Sequence, residues 1–252
     1  MTLAGIVCVR NGLDLDYSWR EAVDSLRGVC DEVVICDCDS TDGTREAMDI
    51  LADEHSNITL VNYPWTNPIN NTLWYPEWIN YARQHAKSQH ILHLDADEMI
   101  HEVDYPLIRE AANAGRVLYL KRFNFWKDSR HLIPDGVCCG TKVLRMAPAN
   151  MPIPSDYPYE PAAVTQSLAQ ESNIRVFHYG FIRKRDAFFR KARTVHHIWS
   201  GSFDPRLEAA EKFEGQWSTM PGVTGWEDRL IHYNGSHPKA AHKWLKDRSY
   251  DC

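Results

Sequence analysis

The stretch that decides the fold reads ILHLDADE and runs from Ile91 to Glu98. An apolar run that ends abruptly in acids is typical of a buried strand with carboxylates at its C-terminal end. Side chains alternate along an extended chain, so we expect Asp95 and Asp97 on one side and Glu98 on the other. Two carboxylates at a strand end suit a hard divalent cation such as Mg2+ or Mn2+. The alternative is a solvated acidic turn.

The composition is that of an ordinary globular protein and argues against several functional classes. The 252 residues carry a formal net charge of -6, which disfavours a general nucleic-acid-binding surface. The seven Cys include no CxxC pair, so neither a zinc site nor a disulfide scaffold is indicated. Nine Trp and eleven Tyr suit either a core or stacking on sugars. With no signal-like or membrane-length apolar segment, we expect a soluble cytoplasmic protein.

Strands and helices alternate in the first half of the chain. The pattern predicts strands at Leu3 to Val9, Asp31 to Cys36, Ile58 to Val61 and Gln89 to Leu94, with helices from Ser18, from Thr44 to His55, and from Glu77 to Lys87. Ser18 and Glu21 match a capping box. This alternation implies a parallel sheet, and ligands bind such sheets beyond the carboxyl ends of the strands. Polar clusters follow three of those ends, at Arg10-Asn11, Asp37 to Asp42 and Asp95 to Glu98.

The second half has weaker patterns. It predicts a helix at Asp104 to Ala114, strands at Val117 to Trp126, Thr141 to Arg145 and Ile174 to His178, and helices at Asp186 to Trp199 and Pro205 to Phe213. A Pro-rich excursion covers 147–161. No linker divides the chain, so we expect one α/β domain over 1–252, with a nucleotide-sugar-binding half at 1–115 and an acceptor-side half at 116–252.

Three segments together resemble the family-2 glycosyltransferases with the GT-A fold. They are LAGIVCV at 3–9, DEVVICDCDSTDGT at 31–44 and ILHLDADE at 91–98, and His178-Tyr179-Gly180 is similar to a later motif of the bacterial and phage enzymes that build surface polysaccharide. The resemblance covers about the first hundred residues. It implies a mostly parallel central sheet flanked by helices and a metal-dependent transfer of sugar from a nucleoside diphosphate, preferably UDP, to a saccharide or glycolipid.

The resemblance also implies roles for single residues. It assigns Asp97 to Mn2+ or Mg2+, Asp95 to the donor ribose and through water to the metal, and Asp37 to the N3–H of uracil. His178 is the first choice for a further metal ligand from the second half, and His237 is the second choice. The residues expected around the nucleotide are Val9, Arg10, Asn11, Asp37, Asp39, Asp95 and Ala96. Asp39 stands where the family has Gly, and Cys38 where it often has an acid.

Each candidate also has a plainer structural interpretation. Asp42 suits helix capping, and Arg10 suits an exposed turn. The base needed by an inverting enzyme has the candidates Asp135, Asp156 and Glu160, with Glu171 behind them, but all four fit ordinary turns or surfaces. Trp65, Trp74 and Trp126 suit sugar stacking, whereas Trp78 suits the core. The basic stretch Arg183 to Arg193 is either a solvated face or a surface for diphosphate, an anionic acceptor or a membrane.

Alternative functions are a glycosyltransferase acting on modified bases of phage DNA, a nucleotidyltransferase and a non-catalytic carbohydrate-binding module. A nucleotidyltransferase typically has a Gly-rich basic loop after the first strand, which the sequence from Arg10 to Asp14 lacks. A binding module would use the Trp residues but would not need Asp37, Asp95 and Asp97 together.

Overall fold

A computed structural model describes residues 1–66, 74–136, 140–152, 167–200 and 227–248. The strands are β1 Leu3–Val9, β2 Glu32–Asp37, β3 Ile58–Asn62, β4 His90–Leu94, β5 Glu98–Ile100, β6 Leu118–Trp126, β7 His131–Leu132, β8 Lys142–Pro148, β9 Gln170–Phe181 and β10 Ile231–His232. The helices are α1 Trp19–Arg27, α2 Thr44–Glu54, α3 Trp74–Gln84, α4 Tyr105–Asn113, α5 Arg185–Ser200 and α6 Ala241–Lys246.

One mixed sheet runs through both halves of the described chain. Its order is β10-β7-β6-β8-β4-β1-β2-β3, and β9 pairs with β5 and β6 beside this path. The four strands β3, β2, β1 and β4 are parallel, as is the pair β6 and β9. The strand β8 joins β4 to β6 by antiparallel pairing on both sides. The predicted α/β fold, with a parallel central sheet flanked by helices, is confirmed.

Alternation along the parallel strands explains why the sheet is covered on both faces. In β1, Leu3, Val7 and Val9 pack into one core cluster, while Ala4 and Ile6 pack into a cluster on the other face. The first cluster includes apolar residues of α1, α2 and α4, and the second includes those of α3. Because β1 is buried along its whole length, its sequence is a continuous apolar run instead of an alternating one.

The predicted elements of the first half are confirmed with shifts of a few residues at their ends. The predicted capping box at α1 does not form. The side chain of Ser18 makes no capping hydrogen bond, and its buried hydroxyl has no hydrogen-bond partner among the described residues. In the second half β9 extends well beyond the predicted Ile174 to His178, and α6 was not predicted. The helix predicted at Pro205 to Phe213 lies outside the described residues. No helix within the described ranges is both long and apolar enough to cross a membrane.

Candidate active site

The turns that follow β1 and β2 are joined to each other by hydrogen bonds at the carboxyl edge of the sheet. The Asn11 amide donates to Ser40 Oγ at 2.9 Å, and the Thr41 amide donates to Asn11 Oδ1 at 2.8 Å. Asp42 accepts from the backbone N–H of Thr44 at 3.1 Å and from that of Asp14 at 2.7 Å, although the N-cap of α2 is Gly43 and not Asp42. These bonds fix the two turns against each other beyond the strand ends.

Arg10 packs against the turn that follows β2. Its guanidinium donates to the carbonyls of Cys38, at 2.8 Å, and Asp39, and it lies 4.1 Å from the ring centroid of Trp65. Trp65 also packs against the buried Trp78. Arg10 is therefore neither a free turn residue nor a free phosphate ligand, and Trp65 is covered on one face by a cation.

Asp39 and Asp37 differ in their surroundings. Asp39 has φ of +60°, in the left-handed region, which explains why a related sequence would place Gly there and why Asp is still tolerated. Asp37 ends β2 and is 2% exposed, and its carboxylate accepts from the Ser40 amide at 3.2 Å. Burial raises the pKa of Asp37, and the bond from Ser40 offsets part of this rise.

The stretch from Ile91 to Glu98 does not stay extended through its acids. The strand β4 ends at Leu94, the chain turns at Ala96 and Asp97, and the Glu98 amide donates back to the Asp95 carbonyl at 3.0 Å. The turn breaks the alternation on which the prediction rested, and the prediction that Glu98 faces the side opposite Asp95 is wrong, because both carboxylates accept from Arg145. Ala96 is buried in the core, so only its backbone could reach a ligand.

Asp95 instead shares its partner with Glu98. The fully buried guanidinium of Arg145, on β8, donates to Asp95 Oδ2 at 2.9 Å and to both Glu98 oxygens at 2.8 Å. Arg122, on β6, donates to Glu98 Oε1 at 3.2 Å. Two carboxylates and two guanidinium groups thus form a buried network of balanced charge. It anchors Asp95, whose side chain is 20% exposed.

Asp97 has a different set of partners, all from the second half of the chain. Its Oδ2 accepts from Arg183 Nη2 at 2.9 Å and from Lys191 Nζ at 2.8 Å. Burial alone would raise the pKa of Asp97, but the positive charges of Lys191 and Arg183 outweigh it and hold the pKa well below its usual range. Asp97 is therefore ionised at any physiological pH.

His178, on β9, faces the other oxygen of the same carboxylate. Its Nε2 lies 3.5 Å from Asp97 Oδ1, and its Nδ1 lies 2.8 Å from Asn124 Oδ1. Burial lowers the pKa of His178 to about 4 in spite of the nearby Asp97, so the ring is neutral near pH 7. A neutral ring that donates from Nδ1 to Asn124 presents the Nε2 lone pair to Asp97.

Gly180 makes the approach of these two groups possible. A Cβ at this position would lie 2.3 Å from His178 Nε2 and 3.0 Å from Asp97 Oδ2. Any larger residue would therefore push into the space between imidazole and carboxylate.

The pair of Asp97 and His178 fits a divalent cation. Two acceptor atoms face each other there, and Asn124 orients the imidazole in the way that is usual for metal-bound histidines. In the part of the chain that the structure describes, no group of three His, Cys, Asp or Glu side chains is placed to hold a metal. Mg2+ or Mn2+ would then take its remaining ligands from substrate oxygens and water, which is common for these ions at phosphate sites.

Several other sequence candidates lie in the core, bond to other protein groups, lie at the surface or fall outside the described residues. Val9 is buried in the core, and His237 uses both ring nitrogens, with Tyr179 Oη at 2.8 Å and the Ser129 carbonyl at 3.0 Å, so it is not retained as a ligand. Trp126 is buried at 4% exposure and is not a stacking platform. Asp135 is exposed in a turn with Gly136, and Glu171 pairs with Lys142 on the surface. Asp156 and Glu160 lie outside the described residues, and the side chain of Trp74 is not described.

The basic stretch turns much of its charge inward. Arg183 donates to the carbonyls of Gly180, at 2.9 Å, and Leu15 as well as to Asp97, and Arg190 donates to the Asp14 carbonyl at 2.7 Å. These bonds clamp the loop after β1 to the start of α5. Lys184 and Arg193 remain exposed to solvent.

Sequence reasoning missed the positively charged partners of the acids. Arg122 and Arg145 lie on strands whose sequence gives no sign of a charge facing inward, and Asn124 lies in an aromatic strand. Their contacts depend on which strands pair with each other. The pairing of β9 with β5 and β6, for example, places His178 opposite both Glu98 and Asn124. The only signal in the sequence was an Arg or Asn at an interior position of a strand.

Comparisons with known proteins find similarity to solved structures alone. No protein-family model matches the chain, and no curated protein sequence matches it. Solved structures that it resembles include S. aureus TarS 1–349 in complex with UDP-GlcNAc, at 14% identity and a TM-score of 0.47, covering 79% of this chain and 66% of that one. Another is a Pyrobaculum calidifontis mannosyltransferase in complex with GDP-Man and Mn2+, at 16% identity and a TM-score of 0.46, covering 83% and 68%.

A third is a Bacillus anthracis protein assigned as a glucose-1-phosphate thymidylyltransferase, in complex with sucrose, at 7% identity and a TM-score of 0.46, covering 82% of this chain and 99% of that one. The chain spans slightly less than two thirds of the TarS fragment. At these identities and scores, the likeness is too loose to transfer an activity.

Proposed function

We propose that this chain is a metal-assisted glycosyltransferase of the GT-A type, which moves a sugar from a nucleoside diphosphate, preferably UDP, to a saccharide or glycolipid. One observation carries the proposal. An ionised, buried Asp97 and a neutral His178 face each other at 3.5 Å beyond the carboxyl end of β4, with two cations beside them. Donors of this class need such a site, because a diphosphate gains negative charge as it leaves the sugar.

The residues that would hold a metal are Asp97, through Oδ1, and His178, through Nε2. When bound, the ion would act as a Lewis acid on the departing diphosphate. Asp95, fixed by Arg145, would accept hydrogen bonds from ribose hydroxyls through its exposed edge. Arg183 and Lys191 would add positive charge on the side of the leaving group.

Asp37 would recognise the nucleobase. Its carboxylate accepts from the Ser40 amide at 3.2 Å and 3.4 Å, which leaves capacity for a further donor such as the N3–H of uracil. Because Asp37 is almost fully covered, the turn after β2 would have to shift slightly to admit the base. We therefore expect the base to contribute less to affinity than the diphosphate does.

For the base of an inverting reaction, Asp135, Asp156 and Glu160 remain our candidates. Of these three, Asp135 is the one that the structure describes, and its side chain is exposed to solvent. Replacing each acid by its amide separates them, since loss of the true base would abolish transfer to the acceptor and leave donor binding intact. If none of the three amide variants loses transfer, all three assignments are wrong.

The aromatic residues count against a non-catalytic carbohydrate-binding module. Among the Trp side chains that the structure describes, Trp78 and Trp126 are buried and Trp65 has Arg10 over its ring, so these three offer little free ring surface to a sugar. A module would also have no use for two buried cations at an ionised acid.

The function is tested with a panel of UDP, GDP and CDP sugars in the presence of Mn2+. We expect slow hydrolysis of one donor, and thermal stabilisation by the corresponding nucleoside diphosphate. The Asp97→Asn variant should lose hydrolysis and any increase in thermal stability that depends on Mn2+, because it removes the negative charge that holds the ion. If no nucleotide sugar is turned over, or if Asp97→Asn turns it over without metal at the wild-type rate, the proposal is wrong.

A further inference from the structure

We propose that Lys191 and Arg183 form an anion subsite of the protein itself, which binds the donor diphosphate even when no divalent metal is present. The identity of the anion as a diphosphate rests on the function proposed above. The existence of the subsite rests on the charges and contacts of the described residues.

The charges around Asp97 do not balance. Arg122 and Arg145 are matched by the carboxylates of Asp95 and Glu98. At Asp97, two cations share a single carboxylate oxygen. Among the residues that the structure describes, this leaves one positive charge in excess at a largely buried place. A buried excess charge is costly unless an anion meets it, so the site favours a negatively charged ligand.

The two cations are held in different ways. Arg183 is fixed by bonds to Asp97 and to the carbonyls of Gly180 and Leu15, and its side chain is 1% exposed. Lys191 has one hydrogen bond, to Asp97, and its side chain is 23% exposed. Within the described chain, the other donors of the Lys191 ammonium have no acceptor. Arg183 is therefore a fixed positioning charge, and Lys191 is the group free to meet the ligand.

Tyr17 keeps both cations at this place. The guanidinium carbon of Arg183 lies 4.6 Å from the centroid of its ring, and Nζ of Lys191 lies 5.0 Å from the same centroid. The negative face of an aromatic ring attracts cations without neutralising them. Two positive charges can thus stay close together and still present their charge to an anion.

The partners of Asp97 are divided between its two carboxylate oxygens, which explains why the subsite does not need a metal. Lys191 and Arg183 use Oδ2, whereas the position that fits a metal lies between Oδ1 and His178. The cations and a metal therefore do not compete for one oxygen. The diphosphate meets Lys191 with or without the ion, and metal adds to binding that already exists.

The experiment measures binding of inorganic pyrophosphate to the whole protein by calorimetry, in EDTA and then with Mn2+. Pyrophosphate has no base or sugar, so it reports on the cations alone. We expect the wild-type protein to bind pyrophosphate in EDTA. Lys191→Met should bind it about tenfold or more weakly, because the variant loses one charge-assisted hydrogen bond. Lys184→Met removes an exposed lysine of the same segment and should bind as the wild type does. Lys191→Arg, which keeps the charge, should retain most of the binding.

Thermal unfolding of each variant shows whether it is folded, and a Lys191→Met protein that melts near the wild-type temperature makes the comparison valid. If Lys191→Met is unfolded, Lys191→Gln takes its place. The inference is overturned if the wild type does not bind pyrophosphate in EDTA, or if the neutral variant binds it equally well. Neither result affects the proposed function, which depends on turnover of a nucleotide sugar with Mn2+. Conversely, Lys191-dependent binding without any such turnover would keep the subsite and reject the glycosyltransferase.

Discussion

The Nε2 atom of His178 and the Oδ1 atom of Asp97 lie 3.5 Å apart, and each is a hydrogen-bond acceptor at neutral pH. The two residues come from opposite halves of the chain, and the backbone supports their approach, since the Tyr179 amide donates to the Asp97 carbonyl at 2.8 Å. Two facing acceptors repel each other unless a cation lies between them. This relationship gives the first prediction.

We expect Mn2+ to bind weakly to the free protein and much more tightly once a nucleoside diphosphate is present. The described part of the chain offers two ligand atoms, one each from Asp97 and His178, and the diphosphate would supply others. Electron paramagnetic resonance titration of Mn2+ with and without UDP measures the difference. His178→Ala should abolish the UDP-dependent step, whereas the exposed His232→Ala should keep it. Equal Mn2+ affinity in wild type and His178→Ala would contradict the assignment.

Gly180→Ala should damage the site more than a simple methyl addition suggests. Its Cβ would lie 2.3 Å from His178 Nε2, so the imidazole must move away from Asp97. We expect a loss of about 1 to 3 kcal/mol in the free energy of unfolding and loss of the Mn2+ response. Gly140→Ala is the matched control, because the nearest atom to its Cβ is the Lys142 carbonyl oxygen at 3.6 Å. Urea denaturation and thermal shifts with Mn2+ compare the two, and a Gly180→Ala protein equal to the control would refute the packing argument.

Arg145→Met should be among the most destabilising single changes in the protein. The fully buried guanidinium serves Asp95 and Glu98, so removing it leaves these carboxylates short of positive charge. Breaking a buried ion pair from one side typically costs roughly 3–5 kcal/mol in stability. The exposed pair of Lys142 and Glu171 provides the contrast, and Lys142→Met should cost about 1 kcal/mol or less.

Urea denaturation measures both changes. Adding Glu98→Gln to Arg145→Met should recover part of the loss, because it removes one of the carboxylates that lost its partner. If Arg145→Met and Lys142→Met unfold at the same urea concentration, the buried network does not stabilise the fold as we describe.

Lowering the pH should destabilise the protein through protonation of His90. This residue lies at the start of β4, at the opposite end of the strand from Asp95 and Asp97. Burial lowers the pKa of this fully buried histidine from 6.5 to about 4. The folded state thus favours the neutral ring, and the unfolded state binds the proton more readily. The stabilising contribution is complete above pH 6.5 and declines as pH falls toward 4, by roughly 2 to 3 kcal/mol in total.

His90→Leu removes this titration. The difference in unfolding free energy between the variant and the wild type should therefore change in favour of the variant as the pH falls from 7 to 4. Urea denaturation at pH 7, 6, 5 and 4 measures the difference. A constant difference across this range would show that His90 does not titrate as described.

The amino-acid sequence by itself determined the first half of the fold. Continuous apolar runs of strand length, separated by helices with one apolar face, leave a parallel sheet as the consistent arrangement. The position of polar residues after β1, β2 and β4 then followed from the direction of parallel strands. For the same reason the candidate residues Asp37, Asp95 and Asp97 could be named.

The tertiary structure decided which groups face these acids. A turn at Ala96 and Asp97 redirects the chain, so Asp95 joins Glu98 on Arg145 while Asp97 turns to His178, Lys191 and Arg183. No local pattern encodes these contacts, because they join residues about 50 to 95 positions apart and depend on how β8, β9 and α5 pack against β4. Local periodicity fixes where a strand ends, whereas the charge balance at that end is set by the strands and the helix that pack beside it.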